Sequence, residues 1–128
     1  MRRAALEIGL LLAITVLFVG CYSTGPEVLI GPEISHDLVI FFKTDATHDQ
    51  IENFRGDVLS YSWWGCRYEV AADYLRLFPV DGYEAIALKF HSDVSQADRN
   101  AVKSKVRASP IVHKVFEDVV PQDIKHVD

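Results

Sequence analysis

Apolar positions along this chain recur with two periods, and the alternation between them predicts the elements. Asp37 to Lys43 alternates, with Leu38, Ile40 and Phe42 on one side and Val39, Phe41 and Lys43 on the other. Both sides are mostly apolar, which predicts a central strand. From Thr47 to about Ser60 the period lengthens: Ile51, Phe54 and Val58 are spaced by three and four, a stripe for a helix lying on a sheet, while His48, Asp49, Glu52 and Asn53 point to water. Tyr74 to Phe78 reads as a second strand with Leu75 and Leu77 inward, and Pro79-Val80-Asp81-Gly82 as a turn. Tyr83 to Phe90 is a third strand, with Ile86, Leu88 and Phe90 on one face and Ala85, Ala87 and Lys89 on the other. A second helix runs from Ser95 to about Ser109 through Ala97, Ala101, Val102 and Val106, and Pro110 stops it. Ile111 to Asp118 is a fourth strand whose inward face is either Val112 with Phe116 or Ile111 with Val115. Val119 to Asp128 reads as a polar tail.

One stretch organises the rest. Phe42-Lys43-Thr44-Asp45-Ala46-Thr47 is echoed by Phe90-His91-Ser92-Asp93-Val94-Ser95, and each copy closes a strand and opens a helix. Thr47 and Ser95 stand where a helix N-cap belongs. Gln50 completes a capping box with Thr47, and Asp98 is a weaker counterpart for Ser95. The resulting order, β-α-β-β-α-β, predicts an α+β domain of the ferredoxin-like kind, with an antiparallel four-stranded sheet and two helices on one face.

The N-terminal region changes the picture of where the domain resides. Met1-Arg2-Arg3 is basic, Ile8 to Val19 is a nearly unbroken apolar run, and Gly20-Cys21 follows, a secretory signal pattern too short for a comfortable span. Phe18-Val19-Gly20-Cys21 resembles a bacterial lipobox, which implies cleavage before Cys21 and acylation of that residue. Lipid chains on one cysteine hold a protein durably on a membrane. The expected organisation is a signal peptide over 1–20, a lipidated tether over 21–36 punctuated by Gly25-Pro26 and Gly31-Pro32, a domain over 37–118 and a tail over 119–128. The expected location is the bacterial cell envelope, lipid-anchored through Cys21. With Cys21 acylated, Cys66 is the remaining thiol and no internal disulfide forms; Cys66 is then either a small, partly buried residue among the aromatics or the site of an intermolecular disulfide in an oxidising envelope.

Charge and motif content narrow the function. The chain carries a formal charge of −5, and loss of Arg2, Arg3 and Glu7 makes the mature part more acidic still. Such a domain is a poor match for phosphate backbones, so nucleic acid is not an expected partner. There is no G-x-S-x-G, H-E-x-x-H or C-x-x-C spacing, and His36, His48, His91, His113 and His126 are scattered singly. No enzyme activity, metal or cofactor is expected. Two features point to binding instead. Tyr61, Trp63, Trp64, Cys66 and Tyr68 cluster around Gly65, either extending the core or anchoring a partner. In the predicted sheet, Val39, Phe41, Tyr74, Arg76, Phe78, Ala85 and Ala87 line the face that carries no helix, an apolar patch that either engages a partner or is covered by the tether or the aromatic segment.

The run Asp81-Gly82-Tyr83-Glu84-Ala85, then Lys89-Phe90, a helix, Ser109-Pro110-Ile111-Val112 and Val115-Phe116-Glu117-Asp118 resembles the second half of subtilisin-type propeptides and related peptidase-inhibitor domains. That resemblance implies that the open sheet docks on the protease and that Val119 to Asp128 enters its cleft. Periplasmic domains of division-associated permeases show a similar pattern. The expected function is therefore a membrane-anchored lipoprotein whose domain binds another protein through its sheet, using Val39, Phe41, Tyr74, Phe78, Ala85, Ala87, Trp63 and Trp64. The alternative is an inhibitor or propeptide-like chaperone of a subtilisin-type protease.

Overall fold

The structure, a computed structural model, describes residues 31–128. The signal peptide, Cys21 and most of the tether lie outside the described residues. The elements in order are β1 (His36–Phe42), α1 (His48–Leu59), β2 (Ser60–Trp63), β3 (Cys66–Glu69), β4 (Ala72–Val80), β5 (Tyr83–Phe90), α2 (Gln96–Ala108) and β6 (Val112–Val119), with a 3-10 turn at Pro121–Asp123. Four strands pair antiparallel in the order β4-β5-β1-β6, and β2 with β3 forms a separate hairpin. The chain is thus an α+β domain.

The repeated turns behave alike. In the first, Ala46 N–H donates to Lys43 O; in the second, Val94 N–H donates to His91 O at the equivalent position. Each turn then delivers its hydroxyl residue to a helix start. Thr47 Oγ1 accepts from Gln50 N–H while Gln50 Oε1 accepts from Thr47 N–H, a complete capping box; Ser95 Oγ accepts from Asp98 N–H. Such a cap is worth about 1 kcal/mol by satisfying donors at the exposed helix end.

Both helices lie on one face of the sheet. Leu38, Ile40 and Phe42 of β1 with Ile86, Leu88 and Phe90 of β5 meet Ile51, Phe54 and Val58 of α1 and Val102 and Val106 of α2. Phe42 and Phe54 pack edge to face, their centroids 5.0 Å apart.

Two strands depart from the predicted faces. In β4, Tyr74 is opposite Leu88 and Arg76 opposite Ile86, so these two turn toward the helices and Leu75 and Leu77 turn away from them. The expectation of Leu75 and Leu77 inward against the helices, with Tyr74 on the helix-free face, is therefore corrected. β4 is an edge strand, and Arg76 reaches Glu52 on α1 and Glu84 on β5. Ion pairs at a half-exposed edge let a charged residue take the helix side. In β6 the pairing shifts register, Phe41 opposite Lys114 but Phe42 opposite Val112. That irregularity breaks the two-residue period, so Ile111, Val112 and Val115 pack on the helix side while Phe116 and Val119 pack on the other. Of the two predicted pairings, Ile111 with Val115 holds on the helix side and Val112 joins it, whereas Val112 with Phe116 is split between the two faces.

Tyr61 to Asp73, in which no elements were assigned from sequence, contains a two-stranded arm. Trp63 pairs with Cys66, Tyr61 with Tyr68, and Trp64-Gly65 form the two-residue turn, both at positive φ (53° and 73°). Asp81-Gly82 between β4 and β5 is the same kind of turn, with φ of 53° and 82°. Two positive φ values match a turn twist that suits a hairpin.

Candidate functional site: the second face of the sheet and the aromatic arm

The face of the sheet turned away from the helices is not open. Val39, Phe41, Ala85 and Ala87 are all 0% exposed. What covers them is the segment after β6. Val127, 1% exposed, packs with these four residues as the centre of a second core, and Ile124, Phe116, Val119, Leu75, Leu77, Val80 and Tyr83 surround it. The expectation of an exposed docking patch at Val39, Phe41, Ala85 and Ala87 is corrected accordingly, and so is the expectation of a free polar tail. Its signal was present but sparse: Ile124 and Val127 are the apolar side chains after Pro121 in an otherwise polar stretch, too few to register as a period.

Tertiary hydrogen bonds fix this strap at two places. Near its start Gln122 N–H donates to Pro32 O at 3.2 Å, and the 3-10 turn closes with Ile124 N–H to Pro121 O. At its far end Val127 N–H donates to Asp81 Oδ2 at 2.9 Å, Tyr83 Oη donates to Asp128 Oδ2 at 3.1 Å, and Asp128 Oδ1 lies 2.7 Å from His113 Nε2. The Tyr83 and His113 rings are stacked, centroids 4.2 Å apart and nearly parallel. His126 Nδ1 lies 3.7 Å from Asp81 Oδ1. The hydrogen bond with His113, then that from Tyr83, holds the Asp128 carboxyl below its ordinary value. The same Tyr83 to Asp128 bond raises the phenol, because ionised Tyr83 loses its donor and faces a carboxylate.

Beside the strap an apolar groove of about 470 Å³ runs between Ile124 and β4, floored by Phe41, Leu75 and Leu77. Phe78 stands at its edge, 93% exposed. A register irregularity between Leu77 and Val80 lifts Phe78 and Pro79 out of the ladder, which is why a large apolar residue sits unburied there. Tyr74, by contrast, lies on the helix side beneath Arg55, whose guanidinium is 5.3 Å from the ring centroid.

Trp63 and Trp64, at the tip of the β2–β3 arm, are 64% and 83% exposed, and their rings meet edge to face. Tyr61 and Tyr68 stack across the arm at 5.4 Å. Arg67 donates to Ser60 Oγ, and Lys105 Nζ donates to Ser60 O, tying the base of the arm to α2. The arm is therefore a braced presentation of indole rings and not a part of the core. Trp64 pairs this exposure with a left-handed backbone that a bulky residue adopts only at a cost of about 1 kcal/mol.

Cys66, beside the tip in β3, is disulfide-bonded. The chain's other cysteine is Cys21. Of the readings of Cys66, the free thiol is the one this overturns. Among the described residues, no three His, Cys, Asp or Glu side chains gather to hold a metal, and no helix is long and apolar enough to cross a membrane.

Comparison with protein-family models, with characterised proteins and with solved structures finds no match.

Proposed function

We propose that this is a binding protein of the bacterial cell envelope, not an enzyme, in which a ferredoxin-like domain presents its aromatic arm to another protein. The strand order β4-β5-β1-β6, with both helices on one face, supports the fold reading. The observation that carries the function is Trp64, 83% exposed and held at φ 53°. Glycine or asparagine would serve this turn better, and an exposed indole returns little to the fold for the backbone it strains. Paired exposed tryptophans on a rigid support are the usual composition of a protein-binding hot spot.

The address rests on the N-terminal pattern. Acylation of Cys21 anchors the domain to a membrane, with the proline-punctuated tether as a spacer. A second arrangement is favoured by the disulfide at Cys66: Cys21 as its partner in an exported, unacylated chain. Both require export to an oxidising compartment. The propeptide-like alternative needs the sheet and the segment after β6 to be free at once, whereas here each covers the other.

A photo-crosslinking amino acid at position 63 in the full chain, expressed in a bacterial host, tests the arm. The expected result is one dominant crosslinked protein that is lost when Trp64→Asn is added, with the melting temperature unchanged or raised. An adduct pattern indifferent to Trp64→Asn overturns the reading.

A further inference from the structure

At its far end the strap over the second face is held as a ligand is held, by one apolar side chain, one carboxylate and one backbone clamp. It adds no strand to the sheet, since β1 is already paired on both sides and the four-stranded order contains no residue beyond Val119. Val127 fills a seat made by Val39, Phe41, Ala85 and Ala87. Asp128, itself largely exposed, lies on a surface socket in which His113 and Tyr83 each address one carboxylate oxygen, at 2.7 and 3.1 Å. The two rings stack on one another on neighbouring parts of the sheet, so the socket is shaped by β5 and β6 and not by the strap. Asp81, in the turn before Tyr83, accepts from the backbone N–H of Val127. The strap also leaves part of the face unfilled, namely the groove of about 470 Å³ beside Ile124 that reaches Phe78.

We propose that the second face of the sheet is a binding site for an extended peptide segment carrying an apolar residue followed by a carboxylate, and that residues 120–128 occupy it as an internal ligand. An incoming segment takes the Val127 seat and the His113–Tyr83 socket and extends a further apolar side chain into the groove toward Phe78. The strap then sets the threshold, because a competitor must first displace it. Selectivity follows from the seat, where alanines at 85 and 87 leave space for a branched aliphatic residue, and from the two hydrogen bonds, with Tyr83 Oη and His113 Nε2, that a segment without a carboxylate does not make. The carboxylate can belong to an aspartate or glutamate side chain or to a chain terminus. This site is separate from the aromatic arm, and its failure leaves the reading of the arm untouched.

The test uses the full chain and a fluorescein-labelled peptide of sequence VPQDIKHVD. Val127→Asp is introduced to unseat the strap, and retention of the fold is checked by circular dichroism. The variant is expected to bind the peptide at least tenfold more tightly than the unaltered chain. Peptides with the second valine, that of position 127, changed to aspartate, or the final aspartate changed to alanine, should bind at least tenfold more weakly to the variant. An amidated peptide and one ending in asparagine with a free terminus separate the two carboxylate sources. Equal binding by both chains overturns the proposal, and so does dimerisation of the variant in place of peptide uptake, which would assign the face to a second copy. Should Val127→Asp fail to fold, native-state hydrogen exchange of the unaltered chain decides. Amides of Gln122 and Val127 are expected to exchange through an opening that leaves Leu38 to Phe42 protected; exchange of all of them together overturns the proposal.

Discussion

Phe41 and Phe78 are the two phenylalanines that an open sheet face would expose together, and the structure gives them opposite exposures. Phe41 is 0% exposed on the strand with a partner on each side, and its ring meets Phe116 edge to face at 5.7 Å. Truncating it to alanine removes a fully buried ring whose neighbours, Ala85 and Ala87, are too small to close the gap. Phenylalanine-to-alanine changes at such sites cost about 3–5 kcal/mol. Phe78, 93% exposed, has little apolar area to lose, and the cost there falls within about 0.5 kcal/mol. For a domain of this size each kcal/mol shifts the melting temperature by about 4–8 °C, so Phe41→Ala should lower it by at least about 12 °C and Phe78→Ala by no more than about 4 °C. Urea denaturation followed by tryptophan fluorescence measures both. Phe41→Ala costing under about 1 kcal/mol, or the two variants behaving alike, would refute the argument that the second face is core.

Two further outcomes follow from the strap. Asp128 has its pKa depressed in the fold, so the stability it lends is present above its ordinary value of 3.8 and is lost as pH falls through the lower folded value. Tyr83 has its pKa raised, so its contribution is full below its ordinary 10.0 and is lost as pH rises through the higher folded value. The Val127 methyl shifts, followed by NMR, should move toward random-coil values at both the acid and the alkaline extreme, and Asp128→Asn should remove the acid limb; an acid limb that survives Asp128→Asn would contradict this. Against subtilisin, the intact chain should behave as no more than a weak inhibitor, because the strap and the sheet occupy one another. A tight inhibition constant in a standard peptide-substrate assay would refute that.

Much of the architecture was legible because it rests on local rules. The echo of Phe42–Thr47 in Phe90–Ser95 located both helix starts, since a hydroxyl side chain at an N-cap acts within four residues. The faces of β1 and β5 were legible for the same reason: strict alternation through central strands. What escaped depended on contacts distant in sequence. The side chains of β4 turn opposite to the prediction because Arg76 finds Glu52 on α1 and Glu84 on β5, partners that its own strand does not reveal. The β6 irregularity at Phe41/Phe42 is set by its neighbour, and its effect is to hide a period. The arm was obscured because its turn carries Trp64 at a position usually taken by asparagine or glycine. The strap escaped because two apolar residues, Ile124 and Val127, suffice to cover a face lined by two alanines.

The candidate site divides in the same way. Trp63 and Trp64 were singled out by aromatic density, which left open whether they extend the core or face a partner, whereas the carboxylate socket joins residues 83, 113 and 128, which no spacing rule connects.

The central claim is that residues 120–128 close the second face of the sheet, and nuclear Overhauser contacts from the Val127 methyl groups in the full-length protein test it most directly. Cross-peaks to the Ala85 and Ala87 methyls and to the Phe41 ring are the predicted result. Random-coil shifts for Ile124 to Asp128 with no such cross-peaks would contradict it, and would return Val39, Phe41, Ala85 and Ala87 to the solvent.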